Sequence, residues 1–99
     1  VFLKEGEHVF DSELIPIHTP GHTMGSVSLY CESQNLVFSG DTLFFEGIGR
    51  TDLNDGDGEL LIKSIKEKLF TLPENTRIFP GHGPDTTLER EINHNPFLR

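Results

Sequence analysis

The 99-residue sequence contains no tryptophan and only one tyrosine, one methionine and one cysteine. A single cysteine cannot form a disulfide within the chain, which excludes a disulfide-stapled scaffold. The lone Cys31 fits a reducing compartment, and we expect a cytoplasmic protein. No apolar run approaches the roughly 18 residues that a membrane-spanning helix needs, and no signal-peptide pattern is found. The sequence therefore predicts no membrane association.

Positive charge is also scarce. Eight lysines and arginines stand against 16 aspartates and glutamates, which gives a formal net charge of −8. Such a surface repels both nucleic acid and anionic membranes, so neither is an expected partner. The eight phenylalanines and a hydrophobic content of 34% are enough for a folded core. The length fits one domain over 1–99, with no boundary visible inside it.

Three short stretches share one form, in which a glycine directly precedes a side chain that can bind a metal. They are Gly21-His22, Gly40-Asp41 and Gly81-His82, each at or just beyond an apolar run that predicts a strand. Glycine permits the tight turns that aim a neighbouring side chain inward. Imidazole and carboxylate together suit zinc, iron or manganese. We therefore predict that His22, Asp41 and His82 are metal ligands.

Structural explanations compete with this hypothesis for each residue taken alone. A histidine in a turn is often only a hydrogen-bonded structural residue, and an aspartate can cap a turn. His18 lies four residues before His22, but Pro20-Gly21 breaks the helix that would stack the two rings. We expect His18 to order the turn. Arg50, the only cation in its loop, is a candidate for binding an anionic substrate group, or it pairs with Asp52.

Apolar patterning predicts the secondary structure around these motifs. Strands are expected at 14–18, 26–31, 36–38 and 76–79, and an irregular or edge strand at 1–10. The segment 36–38 is apolar on both faces and should be central. In 26–31, alternation predicts that Val27, Leu29 and Cys31 share the apolar face of a half-buried strand. Pro16 favours a sheet edge or a bulge.

A glycine- and aspartate-rich loop at 44–58 precedes the strongest predicted helix, at 59–72. Its apolar stripe is Leu61, Ile65, Leu69 and Leu72. Asp57 is expected to cap the start of this helix, and Pro73 to end it. Thr86 or Thr87 should cap a last helix, which runs through Asn93 and is ended by Pro96.

Taken in order, the motifs resemble those of the metallo-β-lactamase superfamily: His-Thr-Pro-Gly-His-Thr at 18–23, Ser-Gly-Asp-Thr-Leu-Phe at 39–44 and Phe-Pro-Gly-His-Gly-Pro at 79–84. Gly-Ile-Gly-Arg-Thr-Asp at 47–52 and Asn-Pro-Phe-Leu at 95–98 are similar to short glyoxalase II-like hydrolases. The resemblance implies an α/β chain that forms the C-terminal half of an αββα sandwich, a mixed sheet with flanking helices. It also implies that His22 binds one zinc ion, His82 a second, and Asp41 bridges them, for the hydrolysis of thioesters or related esters.

The family's H-x-H-x-D-H motif, which lies upstream of the 18–23 stretch, is not found in this sequence. We therefore expect the chain to carry half of each metal site, and to pair with a missing N-terminal half or with itself. The complete protein is expected to be an enzyme with a small-molecule thioester substrate, and the isolated chain to be inactive. Two alternatives stay open. One is an iron-dependent persulfide dioxygenase, which would not need His82, and the other is a non-catalytic chain that acts through a partner.

Overall fold

The computed structural model describes residues 13–52 and 55–98. Seven strands, two longer helices and a short 3-10 helix (Glu32–Gln34) lie in these ranges, and the strand predicted at 1–10 lies outside them. The strands are β1 (Leu14–His18), β2 (Val27–Cys31), β3 (Leu36–Gly40), β4 (Leu43–Phe44), β5 (Gly47–Ile48), β6 (Arg77–Pro80) and β7 (Thr86–Thr87). The helices are α1 (Gly58–Ser64), which continues as a π-helical stretch over Ile65–Leu69, and α2 (Leu88–His94). Within the described ranges, no helix has both the length and the apolar character to cross a membrane.

The main sheet is mixed and has the strand order β1-β2-β3-β6-β7. β3 and β6 pair in parallel, with Val37 opposite Ile78, while the other neighbours pair antiparallel. Because parallel strands end at the same edge, Gly40-Asp41 and Gly81-His82 leave the sheet side by side. The predicted α/β fold is confirmed, and so is the central position of β3.

β1 occupies one edge of the sheet as the structure describes it. Pro16 lies in the middle of this strand, opposite Leu29. Proline has no N–H to donate to a further strand, so an edge position suits it. The predicted loop at 44–58 contains more structure than expected, since β4 and β5 form a two-stranded hairpin within 43–48.

The burial of β2 differs from the predicted one at four of its residues, while Cys31 is buried at 6% exposure as expected. Ser28 and Tyr30 are 0% and 8% exposed, whereas Val27 and Leu29 are only partly buried. Tyr30 lies opposite Val37 and joins the core, and the Ser28 hydroxyl is satisfied because its Oγ lies 3.1 Å from Thr19 Oγ1. The alternation was read correctly, but residue type alone did not show which face the helices cover.

The predicted stripe of the first helix forms the centre of the core. Leu61, Ile65 and Leu69 are fully buried, and Leu72 packs against them partly buried. The Asp57 side chain accepts a hydrogen bond from the Leu60 N–H, so the predicted cap is confirmed. The helix ends at Leu69, three residues before the predicted end, and the Phe70 N–H donates to the Ile65 carbonyl in its last turn. Thr87 caps α2 in the same manner, as predicted.

The opposite face of the sheet also carries large apolar side chains. Leu29, Phe38 and Phe79 lie side by side across three neighbouring strands. Phe38 is 43% exposed, and its ring centroid lies 5.9 Å from that of Phe79. We call Leu29, Phe38 and Phe79 the open face. The segment 36–38 was expected to be apolar on both faces, and Phe38 gives β3 its second apolar face.

Candidate metal centre

Asp41 lies between two histidines where β3 ends. Gly40 has a φ of 55°, a left-handed conformation that turns the chain sharply out of the strand. The Asp41 Oδ1 atom lies 3.1 Å from His82 Nδ1, and the Oδ2 atom lies 3.8 Å from His22 Nε2. The structure thus brings the three predicted ligands together, with one carboxylate oxygen facing each ring.

A main-chain contact sets the orientation of the His22 ring. Its Nδ1 atom lies 2.7 Å from the carbonyl oxygen of Arg50. Since a carbonyl oxygen only accepts, the bond requires the proton on Nδ1. In the neutral ring with this tautomer, Nε2 carries the lone pair on the side of Asp41, which is the form a histidine needs to bind a metal.

Helix α1 holds the turn that carries His22. Gly21 has a φ of 143°, and a Cβ atom at this position would overlap with Leu61. The Asp57 N–H donates to the Gly21 carbonyl at 2.7 Å, and the Ser64 hydroxyl donates to the Pro20 carbonyl at 2.8 Å. The turn is therefore pressed directly against the helix backbone, which only glycine allows.

Two more glycines let the backbone close around Asp41. A Cβ atom at Gly49 would overlap with the Asp41 carbonyl oxygen and lie 3.3 Å from His22 Cβ. A Cβ atom at Gly81 would lie 3.2 Å from Asp41 Oδ1. The sequence showed Gly81 as part of a motif, but it gave no sign that Gly49 packs between two of the candidate ligands.

A chain of buried hydroxyls connects the two turns below the site. Thr19 Oγ1 lies 3.1 Å from Ser28 Oγ and 3.3 Å from Thr42 Oγ1, and all three residues are at most 1% exposed. Thr19 belongs to the turn that carries His22, and Thr42 directly follows Asp41. These contacts tie the two ligand-bearing segments together, and the sequence did not predict them.

A cleft of about 310 Å³ opens onto the three residues. Its wall also includes Phe44, Gly49 and Arg50. The Phe44 ring centroid lies 6.2 Å from that of His82. The side chain of His82 is 80% exposed, whereas those of Asp41 and His22 are 45% and 24% exposed. The cleft therefore has one apolar wall and one cationic side chain at its rim.

Of the two alternatives that the sequence left open for Arg50, the structure shows the pairing with Asp52, and substrate binding stays a prediction. Arg50 lines the cleft, and it forms a two-bond pair with Asp52, with Nε to Oδ1 at 2.9 Å and Nη2 to Oδ2 at 3.0 Å. The hydrogen bond raises the pKa of Arg50 and, by the same contact, lowers the pKa of Asp52. Both side chains are exposed, so solvent screens this pair.

His18 stays outside the cleft. Its Nε2 atom lies 2.8 Å from the Met24 carbonyl oxygen, which closes the turn that follows β1. This agrees with the prediction that His18 orders the turn. Cys31 is buried in β2, and its Sγ lies 3.6 Å from Ser33 Oγ.

The donor set fits a carboxylate shared between two ions better than a single ion. Within residues 13–52 and 55–98, no three histidine, cysteine, aspartate or glutamate side chains are grouped to hold one metal. Each oxygen of Asp41 instead faces a different histidine. Zinc in proteins is commonly four-coordinate. If two ions were bound here, the described residues would offer each of them one histidine and one carboxylate oxygen, and each ion would need further ligands.

The family model of the metallo-beta-lactamase superfamily matches residues 2–82. The chain belongs to this superfamily. The three predicted ligands lie at or beyond strand ends within the matched region, so the resemblance found in the sequence and the family assignment agree.

Individual members of the superfamily are similar over almost the whole chain. The "Probable metallo-hydrolase YqgX" of Bacillus subtilis is 48% identical over 107 residues, which is 99% of this chain and 51% of that protein. The "Hydroxyacylglutathione hydrolase GloC" of Haemophilus influenzae is 44% identical, over 98% of this chain and 47% of that protein. The chain therefore spans about half the length of these curated relatives.

Solved metallo-β-lactamase folds match in the same way. The crystal structure of TTHA1623 in a di-iron-bound form has a TM-score of 0.90 and 46% identity, covering 97% of this chain and 47% of that one. ETHE1 from Myxococcus xanthus has a TM-score of 0.85 and 37% identity, covering 95% of this chain and 44% of that one. The prediction that this chain corresponds to a half of the fold is confirmed at the level of architecture.

Proposed function

We propose that this chain provides half of a dinuclear metal centre to a hydrolase of thioesters or related esters. The observation that carries the proposal is the position of Asp41, with one carboxylate oxygen towards His22 and the other towards His82. The expected metal is zinc, with iron and manganese as alternatives. When bound, two such ions supply Lewis-acid activation of a carbonyl group and of water. His22, Asp41 and His82 would hold them.

The residues around the cleft would orient a metal ligand and bind the substrate. His22 presents Nε2 because its Nδ1 proton is held by the Arg50 carbonyl. Phe44 gives the acyl part of a substrate an apolar wall, and the Arg50 side chain attracts an anionic group at the rim. The similarity to a relative named as a hydroxyacylglutathione hydrolase supports an anionic thioester as the substrate class.

The remaining ligands would come from outside the described residues. We propose that the open face, formed by Leu29, Phe38 and Phe79, packs against the other half of an αββα sandwich or against a second copy of the chain. Sheets in sandwiches pack about 10 Å apart through such apolar faces. The single buried Cys31 supports a cytoplasmic setting.

Complementation tests the proposal. The chain would be co-expressed with the part of YqgX that it does not match, and turnover of S-lactoylglutathione would be measured with and without zinc. We expect turnover only from the combined halves with metal, and its loss on Asp41→Asn. Turnover by this chain alone, abolished by chelation, would contradict the division of the site between two halves.

An iron-dependent persulfide dioxygenase is the second candidate, and its iron is supported by the 46% identity to TTHA1623, a structure solved in a di-iron-bound form. Such a site would use His22 and Asp41 without His82. Oxygen uptake with glutathione persulfide, measured on the combined halves loaded with iron, separates the two functions. His82→Ala should abolish thioester hydrolysis, but it should leave dioxygenase activity if that is the function.

A further inference from the structure

Glu91 in α2 is a fully buried carboxylate that the proposed function does not use. Its Oε1 atom accepts from the Glu46 N–H at 2.8 Å and from Asn95 Nδ2 at 2.9 Å. Its Oε2 atom accepts from the Thr86 hydroxyl at 2.7 Å. A buried carboxylate is costly unless donors satisfy it, and here three neutral donors do so. Two of them act on Oε1 and one on Oε2.

The Oε1 bonds hold the turn between β4 and β5. Glu46 occupies this turn with a φ of 54°, a left-handed conformation that residues other than glycine seldom adopt. Asn95 Nδ2 also donates to the Gly47 carbonyl at 3.1 Å, so the turn is bound at two successive residues. On the outside, Arg90 pairs with the Glu46 carboxylate, and its guanidinium lies 4.6 Å from the Phe45 ring centroid.

This hairpin leads into the cleft at both ends. β4 ends with Phe44, whose ring lies beside that of His82. β5 is followed by Gly49, which packs between Asp41 and His22, and then by Arg50, whose carbonyl accepts from His22 Nδ1. A displacement of the turn would therefore reach both histidines through short, rigid connections.

We propose that Glu91 is a positioning residue for the cleft. Its carboxylate holds Glu46 in the left-handed conformation of the turn between β4 and β5. The turn places the Phe44 ring beside His82 and places the Arg50 carbonyl where it accepts from His22 Nδ1. The inference rests on the proposed function only where it names the cleft as a metal site. The geometric coupling between Glu91 and the two histidines is independent of any activity.

Three variants separate positioning from plain stability. Glu91→Met keeps the length of the side chain but removes every acceptor. Glu91→Gln keeps Oε1 for Glu46 and Asn95, and its amide can donate to the Thr86 hydroxyl, so all three bonds can re-form. Thr86→Val removes only the Oε2 contact and leaves the Glu46 turn bound, which makes it the matched control for lost stability.

The readouts are the ¹⁵N signals of the His22 and His82 side chains in the metal-free chain, and zinc affinity by calorimetry. Glu91→Met should shift both sets of ring signals and weaken zinc binding by about tenfold, the scale on which groups supporting metal ligands act. Glu91→Gln should resemble the original chain. Thr86→Val should lower the melting temperature without changing the ring signals.

The proposal is overturned if Glu91→Met lowers the melting temperature as much as Thr86→Val does but leaves the histidine ring signals and the zinc affinity unchanged. If Glu91→Met does not fold, Asn95→Ala takes its place, since it removes the donor to Gly47 and one donor to Glu91. Unchanged ring signals in folded Asn95→Ala would likewise overturn it. If complementation gives no hydrolysis but Glu91→Met still shifts the histidine ring signals, the proposed function fails and this inference stands.

Discussion

The imidazole Nδ1 of His22 donates to the main-chain carbonyl of Arg50, 28 residues further along the chain. Because the acceptor is a backbone group, a substitution of the Arg50 side chain does not remove it. The residue therefore has two separable roles, one for its carbonyl and one for its guanidinium. This separation makes Arg50 a useful position for testing the cleft.

Replacement of Arg50 by alanine should weaken substrate binding without disturbing the metal ligands. We expect KM for an anionic thioester to rise about tenfold in the complemented enzyme, the scale of one charge-assisted hydrogen bond. Zinc affinity and kcat should change little, because the carbonyl still orients His22. Arg50→Lys is the control that keeps the charge. A loss of zinc affinity in Arg50→Ala would contradict the separation of roles.

The same variant should change the titration of Asp52. Its pKa is lowered from an ordinary value of 3.8 by the bond to Arg50, so Arg50→Ala should raise it towards that value. The pKa of Asp52 is lower in the folded chain than in the unfolded chain. The pair therefore stabilises the fold at pH values above the ordinary pKa, and this stabilisation is lost as the pH falls through the lowered pKa. NMR titration of the Asp52 carboxyl carbon measures this, and added salt should shrink the difference.

Gly49→Ala should damage both the fold and the site, since the new methyl group would meet the Asp41 carbonyl and the His22 side chain. Overpacking of this kind costs about 1–3 kcal/mol in the free energy of unfolding. Gly25→Ala is the matched control, because a Cβ atom there meets nothing within 4 Å. Urea unfolding and zinc titration of both variants check the prediction. Equal behaviour of the two would show that Gly49 is not needed for close packing.

Thr76→Val should be neutral or stabilising, by up to about 1 kcal/mol in the free energy of unfolding. The Thr76 hydroxyl is buried and has no hydrogen-bond partner within the described residues. Thr19→Val, by contrast, removes a hydroxyl with two buried partners and should destabilise by about 1–3 kcal/mol. Urea unfolding measures both changes. A large loss of stability in Thr76→Val would mean that its hydroxyl has a partner.

The open face should make the purified chain associate. Phe38 lies at the centre of the open face and is 43% exposed. Phe38→Ser should therefore shift the sedimentation equilibrium towards the monomer. Phe97 is also exposed but lies near the C-terminus, beyond α2, so Phe97→Ser is the matched control and should leave the distribution unchanged. A dilute, cooperatively folded monomer of the original chain would show that this surface needs no cover.

The sequence predicted the four longer strands β1, β2, β3 and β6, and it predicted that three candidate ligands follow strands, because both depend on short-range patterns. Apolar runs locate the strands, and a glycine before each candidate ligand marks where a strand ends. The face of β2 that Tyr30 buries was not predictable, since it depends on where α1 and α2 pack. The bonds of Glu91 to Glu46 and of Asn95 to Gly47 join residues 45 and 48 apart, and no local pattern records such contacts.

The parallel pairing of β3 with β6 also sets the order in which the site can assemble during folding. β1, β2 and β3 are joined by short connections and form antiparallel pairs, so they can meet early. β6 reaches β3 only after the whole of 41–76, including α1, has closed into a crossover, which is a slow, non-local step. In a refolding experiment, we therefore expect His22 and Asp41 to approach each other before His82 arrives. A zinc ion added during the first phase would find the imidazole of His22 but not that of His82. Binding to His82 would begin only when the crossover has closed.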